Sequence, residues 1–217
     1  MKIVIPIFPQ FTALDAVGPY EVLRMLPGAQ VTFAAAARGV VRTDSTMLGL
    51  HADAAFDEID AADVLVVPGG RGTRALIKDE SALAWVRAVH ETTRWTASVC
   101  TGSLVLAAAG LLNGLDAATH WGAKGELEAL GARYTPQRVV RNGKLITGAG
   151  VSAGIDLALT LAGLTAGDQV ARAIQLAIEY DPMPPYDAGS PEKAGPEIVR
   201  VHATLRDRPP PAAERAG

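Results

Sequence analysis

The sequence predicts a mostly parallel β-sheet covered by helices on both faces. Three observations predict it. Strand-like and helical runs alternate along the chain, the strand-like runs are continuously apolar, and the chain carries enough apolar residues for one large core. Of 217 residues, 49% are hydrophobic and 20% charged, which fits a single α/β domain. Aromatics are only 5% and alanine is plentiful, so tightly packed helices on a sheet are expected.

Taken in order, the first strand falls at 2–8, where Met1-Lys2-Ile3-Val4 leads directly into an apolar run. Further strands are expected at 30–36, 64–67, 95–99 and 144–147. Each is a short continuous run rather than an in/out alternation, as buried parallel strands require. Helical spacing appears at 20–26, 82–92, 103–112, 122–130, 153–161 and 169–178. Two segments interrupt the alternation, 40–50 and 139–143, and read as hairpin or edge strands. Residues 181–196 carry Pro182, Pro184, Pro185, Pro191 and Pro196, which argues against regular helix or sheet. The Pro- and Ala-rich end, 208–217, reads as frayed. The organisation expected is one domain over 1–217 with a proline-rich extension from about residue 181.

Composition excludes several classes. Net charge is −3 with no long run of one sign, so no basic face for nucleic acid is expected. The N-terminus lacks the pattern of a signal peptide, and no apolar stretch spans a membrane without interruption. A single cysteine excludes an internal disulfide and thiolate-rich metal sites, and makes the reducing cytoplasm the expected compartment. No His, Asp and Glu set shows metal-ligand spacing, so no metal is expected.

That cysteine is the centre of the functional reading. Ser98-Val99-Cys100-Thr101-Gly102 lies where a buried strand gives way to a helix, with small residues on either side. This is the pattern of a nucleophile elbow, a sharp strand-to-helix turn that presents a side chain at the sheet's carboxyl edge. The amides and dipole of the following helix are expected to favour thiolate over thiol. A small buried hydrophobe is the competing account of any lone cysteine. Pro68-Gly69-Gly70-Arg71-Gly72 follows another buried strand and could turn backbone N–H groups toward a bound group, or be an ordinary tight turn. Asp15, just after the first strand, can reach the same edge as Cys100 or cap a helix, while Glu21 reads as a surface residue. Of the four histidines, His90 and His202 read as solvated. His120, beside Trp121, is the candidate for the site, and His51 is undecided.

Leu14-Asp15 with Gly18-Pro19, the Pro68-Gly69-Gly70 turn and the Cys100 elbow together resemble the ThiJ/PfpI superfamily. The resemblance implies a flavodoxin-like, class I glutamine amidotransferase-like three-layer α/β sandwich, usually a homodimer. Ser98-Val99-Cys100-Thr101-Gly102-Ser103 with Thr119-His120-Trp121 narrows it to isonitrile hydratases and the amidase-like domain of AraC-type regulators. Both groups carry a segment like Thr147-Gly148-Ala149-Gly150-Val151-Ser152. The length of the chain, the tail from Glu179 to Pro191 and aspartate at position 15 favour the hydratases. Protease-like and glyoxalase-like relatives place histidine directly after the cysteine, where this chain has Thr101.

The resemblance implies hydration of R–N≡C to an N-substituted formamide through a thioimidate on Cys100, with Asp15 as acid and then base. Thr101 and Gly70 are the expected backbone N–H donors, and Val151 and His120 line the substrate pocket. The scheme requires no cofactor, and the expected partners are an isonitrile and a second copy of the chain. Two rival readings remain open: another cysteine-dependent hydrolase, or a cysteine sensor or binding module related to the regulator domain. Asp156 reads as holding its own helix rather than touching substrate.

Overall fold

The structure, a computed structural model, describes residues 1–206, so the expected fraying of 208–217 lies outside the described residues. It divides into two compact units, one of residues 1–180 and one beginning at Asp181. In the first unit, a seven-stranded sheet runs β10-β11-β7-β6-β1-β2-β5. Its strands are β1 (Lys2–Pro6), β2 (Gln30–Ala35), β5 (Ala54–Ala55), β6 (Val64–Val67), β7 (Trp95–Val99), β10 (Val139–Asn142) and β11 (Leu145–Gly148). All neighbours pair in parallel except β10 with β11, where Val139 faces Gly148 and Asn142 faces Leu145. Counted among themselves, β1, β2, β6, β7 and β11 lie in the order 2-1-3-4-5, the flavodoxin order, with its switch point between β1 and β6.

Along β1, β6 and β7, successive buried residues face opposite sides of the sheet. Ile3, Ile5, Val64, Val66, Ala97 and Val99 join one core, with α1 (Ala13–Leu23) and α6 (Ala153–Ala166). Val4, Leu65 and Val67 join a second core on the opposite face, with α3 (Glu80–Thr92), α4 (Gly102–Ala108) and α5 (Lys124–Ala129). Two covered faces explain why the strands read as unbroken apolar runs. The sheet is thus the middle layer of three, as the resemblance implies. The segment 40–50 is a hairpin of β3 (Gly39–Arg42) and β4 (Gly49–Ala52). It is tied to the loop after β1 by Gln10 N–H on Arg42 O (2.9 Å) and Asp44 N–H on Phe11 O (2.9 Å). The remaining elements are α2 (Thr73–Leu76), the short pair β8 (Asp116–Ala117) and β9 (Arg133–Tyr134), and α7 (Asp168–Ala177).

Several helix boundaries depart from the pattern in the sequence, among them α6, which runs on to Ala166 rather than 161. α1 starts before residue 20, with Gly18 and Pro19 inside it. An interior proline costs a helix about 3 kcal/mol, but here tertiary packing prevails. A methyl group at Gly18 would meet Ile155 at 3.3 Å, and one at Gly154 would meet Pro19 at 3.3 Å, so these small residues set the close crossing of α1 on α6. α4 stops at Ala108 rather than 112, because Gly110 adopts φ 83° and Leu111 N–H turns back to Leu106 O (3.0 Å). In the second unit, α8 (Pro191–Arg206) forms where the prolines argued against regular structure, broken at Gly195 (φ 73°, ψ 168°). Pro191 and Pro196 each stand at the start of a helical stretch, where the missing N–H costs nothing. No helix among the described residues is long and apolar enough to cross a membrane.

Candidate active site

The carboxyl ends of β1, β6, β7 and β11 meet around Cys100. The elbow forms as its sequence requires: Cys100 takes φ 56°, a left-handed conformation uncommon for a side-chain-bearing residue. A methyl group at Gly102 would lie 2.1 Å from Val67 O, so the chain turns into α4 only with glycine there. Cys100 O accepts hydrogen bonds from Ser103 Oγ and Thr119 Oγ1, both at 3.1 Å. Its N–H donates to Ala149 O (2.8 Å) and Gly148 O (3.1 Å). The residue is 5% exposed, and the backbone N–H groups of Thr101 and Val151 act to lower its pKa.

Asp15 is fully buried in the first turn of α1. It does not cap that helix. Its Oδ2 accepts the Gly69 N–H at 2.9 Å, while Oδ1 is buried with no hydrogen-bond partner of ordinary geometry. The Cys100 thiol is the side chain that interacts favourably with the carboxyl. Burial raises the Asp15 pKa from 3.8 to about 7, against the opposing pull of the Gly69 N–H and Cys100, and the charge of Asp44 adds to the rise. Asp44 sits on the hairpin, its Oδ2 held by Thr12 Oγ1 at 2.8 Å.

The thiol is pushed up to about 12, first by burial and then by the charge of Asp15; the Thr101 and Val151 N–H groups pull the other way. This corrects the expectation that the elbow alone favours thiolate. α4 is under two turns long, and burial beside a carboxylate outweighs its dipole. Above about pH 7 the two groups therefore share a single proton.

The Pro68-Gly69-Gly70 turn does aim its N–H groups inward, but at protein groups. Gly69 N–H serves Asp15, and Gly70 N–H, expected to face a bound group, donates to Thr101 Oγ1 at 2.9 Å. Thr73 Oγ1 lies 3.3 Å from the same hydroxyl, which Thr101 in turn offers to Gly70 O (3.2 Å). The Thr101 hydroxyl thus locks the two loops together, while its N–H faces sulfur. A methyl group at Gly69 would meet Thr101 N at 2.5 Å and Asp15 Oδ2 at 2.8 Å, so this glycine allows the approach of β1, β6 and β7 loops.

His120 packs beside the site rather than on the elbow. A methyl group at Gly150 would lie 3.1 Å from His120 Cδ2, and its Nδ1 accepts the Gly122 N–H at 3.1 Å. Val151 is half-buried, and its N–H rather than its side chain is the part seen at Cys100. His90, expected to be solvated, is buried with Nδ1 2.8 Å from Thr96 Oγ1; burial and Lys144 lower its pKa. His202 is half-buried, and His51 is exposed beside Asp53. Glu21 is a surface residue paired with Arg24. Asp156 accepts from Arg138 Nε at 2.7 Å and from Tyr180 Oη at 3.1 Å. Among the described residues, no group of three or more His, Cys, Asp or Glu is arranged to hold a metal ion.

Sequence reasoning missed Thr119, the Gly69 N–H and the Val151 N–H. Thr119 was visible beside His120, and Gly69 beside Gly70; the Val151 amide left no signal in side-chain chemistry.

The chain is similar to known proteins in sequence and in fold. An isonitrile hydratase of Pseudomonas putida is 47% identical over 193 residues, covering 89% of this chain and 84% of that protein. A deglycase of Pyrococcus abyssi is 29% identical over 149 residues, 68% of this chain and 89% of the relative. The crystal structure of a ThiJ/PfpI family protein from Pseudomonas syringae superposes with a TM-score of 0.88 at 37% identity, covering 94% of this chain and 85% of that one. Residues 1–163 match the DJ-1/PfpI family as a whole, and with the flavodoxin strand order and the cysteine elbow in place, the chain belongs to that family.

Proposed function

We propose that this protein is an isonitrile hydratase, adding water to R–N≡C to give the N-substituted formamide. The observation that carries the reading is the buried Asp15 carboxyl beside Cys100, the two together holding one proton. The terminal isonitrile carbon takes both a proton and a nucleophile on the same atom. Acid and nucleophile must therefore converge on one point, which a carboxyl against the sulfur allows. Carbonyl hydrolysis asks instead for donors at an oxygen one bond away from the attacked carbon.

In the proposed sequence the thiol proton passes to Asp15, leaving thiolate and carboxylic acid. Sulfur bonds to the isonitrile carbon as Asp15 delivers its proton there, giving the thioimidate R–N=CH–S–Cys100. Water then attacks that carbon, one of its protons passing through Asp15 to the nitrogen, which leaves R–NH–CH(OH)–S–Cys100. Collapse breaks the C–S bond, releases R–NH–CHO and returns the proton to the pair. The Thr101 and Val151 N–H groups stabilise the thiolate when it forms and leaves. A carboxyl with a pKa of about 7 suits the alternation of acid and base at neutral pH. The 47% identity to the Pseudomonas putida hydratase supports the same reading. A sensor cysteine is less well served, because oxidation favours exposed thiolates of low pKa and Cys100 is neither.

The test is formamide formation from an aliphatic and an aromatic isonitrile by wild type, Cys100→Ala and Asp15→Asn. Turnover by wild type, lost in both variants, is expected. Wild type inert toward both isonitriles would overturn the hydratase, and full rate in Asp15→Asn would overturn the proton-transfer assignment.

A further inference from the structure

We infer that Arg138 is a positioning residue, holding the segment that presents the Val151 N–H to the Cys100 sulfur. The inference rests on Cys100 being the reactive group of the site. Residues 149–152 leave the end of β11 and wrap the elbow from both sides. Ala149 O takes the Cys100 N–H at 2.8 Å and Gly148 O at 3.1 Å, which sets the segment against the cysteine, and the Val151 N–H acts to lower the thiol pKa. Arg138 grips this segment at two points. Its backbone carbonyl accepts the Ala149 N–H at 2.9 Å, and its guanidinium reaches Ser152 Oγ at 3.2 Å.

The guanidinium is itself fixed. Nε and Nη2 both approach Asp156 Oδ2, at 2.7 and 2.6 Å, on the first turn of α6. Tyr180 Oη donates to the same oxygen at 3.1 Å, closing the brace from beyond the end of α7. On the other side Gly150 lies against the His120 ring, so the segment is held between an imidazole and an ion pair. The charge felt by the sulfur is that of Asp15, so Arg138 acts through the backbone it holds rather than through its own field. At half exposure the Arg138–Asp156 pair contributes little to stability as a bare ion pair. Its value lies in geometry: an N–H donor stabilises a forming thiolate only when aimed at it.

The test is the rate of Cys100 alkylation by iodoacetamide at pH 9, read beside kcat and KM for isonitrile hydration. Arg138→Met is expected to slow alkylation roughly tenfold, the equivalent of the thiol pKa rising by about one unit. It should lower kcat by a similar factor with KM changed less, short of the roughly 10²–10³-fold cost of removing such a donor outright. Arg138→Lys keeps the charge but not the fork that spans Asp156 and Ser152, and should restore little. The sign separates positioning from a merely structural role, because simple loosening would expose the sulfur and speed alkylation. Should Arg138→Met fail to fold, Asp156→Asn decides, with an expected slowing of about two- to threefold as the ion pair becomes a neutral hydrogen bond. Unchanged or faster alkylation in the variants that fold would overturn the assignment. Wild type inert toward isonitriles, with Arg138→Met still slowing alkylation, would overturn the hydratase and leave the positioning role standing.

Discussion

Replacing Asp15 by asparagine should abolish the proposed reaction and stabilise the fold at neutral and alkaline pH. The native carboxyl keeps its proton until about pH 7, whereas in the unfolded chain it ionises near 3.8. Between those values the unfolded state binds fewer protons than the native one, so stability falls as pH rises and the whole loss is present above pH 7. Roughly three units at about 1.4 kcal/mol each give about 4 kcal/mol as the scale of the effect. Asparagine keeps an oxygen for the Gly69 N–H and carries no charge to bury. Urea denaturation of wild type and Asp15→Asn from pH 4.5 to 8.5 isolates this carboxyl, because titrations outside the Asp15–Cys100 pair are common to both. The stability difference should swing toward the variant by about 3 kcal/mol over that range, while formamide formation drops by about 10²-fold or more. Parallel pH profiles for the two proteins would refute the claim that Asp15 is buried at the cost of its ionisation.

The rate kcat/KM should rise with pH through a midpoint near 7, where the pair loses its second proton, and Asp44→Asn should move that midpoint down by removing a neighbouring negative charge. A pH-rate series on both proteins measures it, and an unmoved midpoint would refute the role of Asp44. Thr101→Val keeps the shape of the side chain but leaves the buried Gly70 N–H unpartnered, at about 1–3 kcal/mol of stability; Thr101→Ser should recover most of this in thermal melts. Gly102→Ala drives a methyl group to 2.1 Å from Val67 O and should destabilise by about 1–3 kcal/mol or prevent folding, seen in the yield and melting of the purified protein. Asp15→Glu keeps the acid but shifts it by a methylene, and a displacement near 1 Å is enough for a loss of about 10²-fold in kcat.

Much of this site was legible in the sequence because its parts sit at strand ends. Strands 64–67 and 95–99 coincide with the observed β6 and β7, since an apolar run bounded by Pro68 or Cys100 leaves no choice of frame. The Cys100 elbow was legible because only small neighbours permit that turn. What stayed hidden depends on contacts between distant segments. Nothing local says that Gly18 and Pro19 belong inside α1, because the reason is Gly154 and Ile155 on α6. His90 looked solvated at the polar end of a helix and is buried because Thr96 and Lys144 come to meet it. That the Gly70 N–H meets the Thr101 hydroxyl depends on the same kind of distant contact. Which amide faces the sulfur is settled by loop packing, and side-chain identity does not encode it.

The strand order explains why a fold with so simple a pattern can assemble this chemistry. At the switch point between β1 and β6 the connections leave in opposite directions, opening a crevice at the carboxyl edge. The loop after β1 brings a carboxyl into it, that after β6 an N–H to hold the carboxyl, that after β7 the thiol, and that after β11 an N–H for the sulfur. With Thr101 directly after the cysteine, the site gains a clamp between the β6 and β7 loops through Gly70 and has no imidazole at that position to take the thiol proton. In the proposed reaction Asp15 is then the base within reach, and its elevated pKa is what the same carboxyl needs to serve as an acid a step later. Burial that disfavours the charged carboxylate in the folded protein is, on this account, the condition that lets one residue move the proton in both directions.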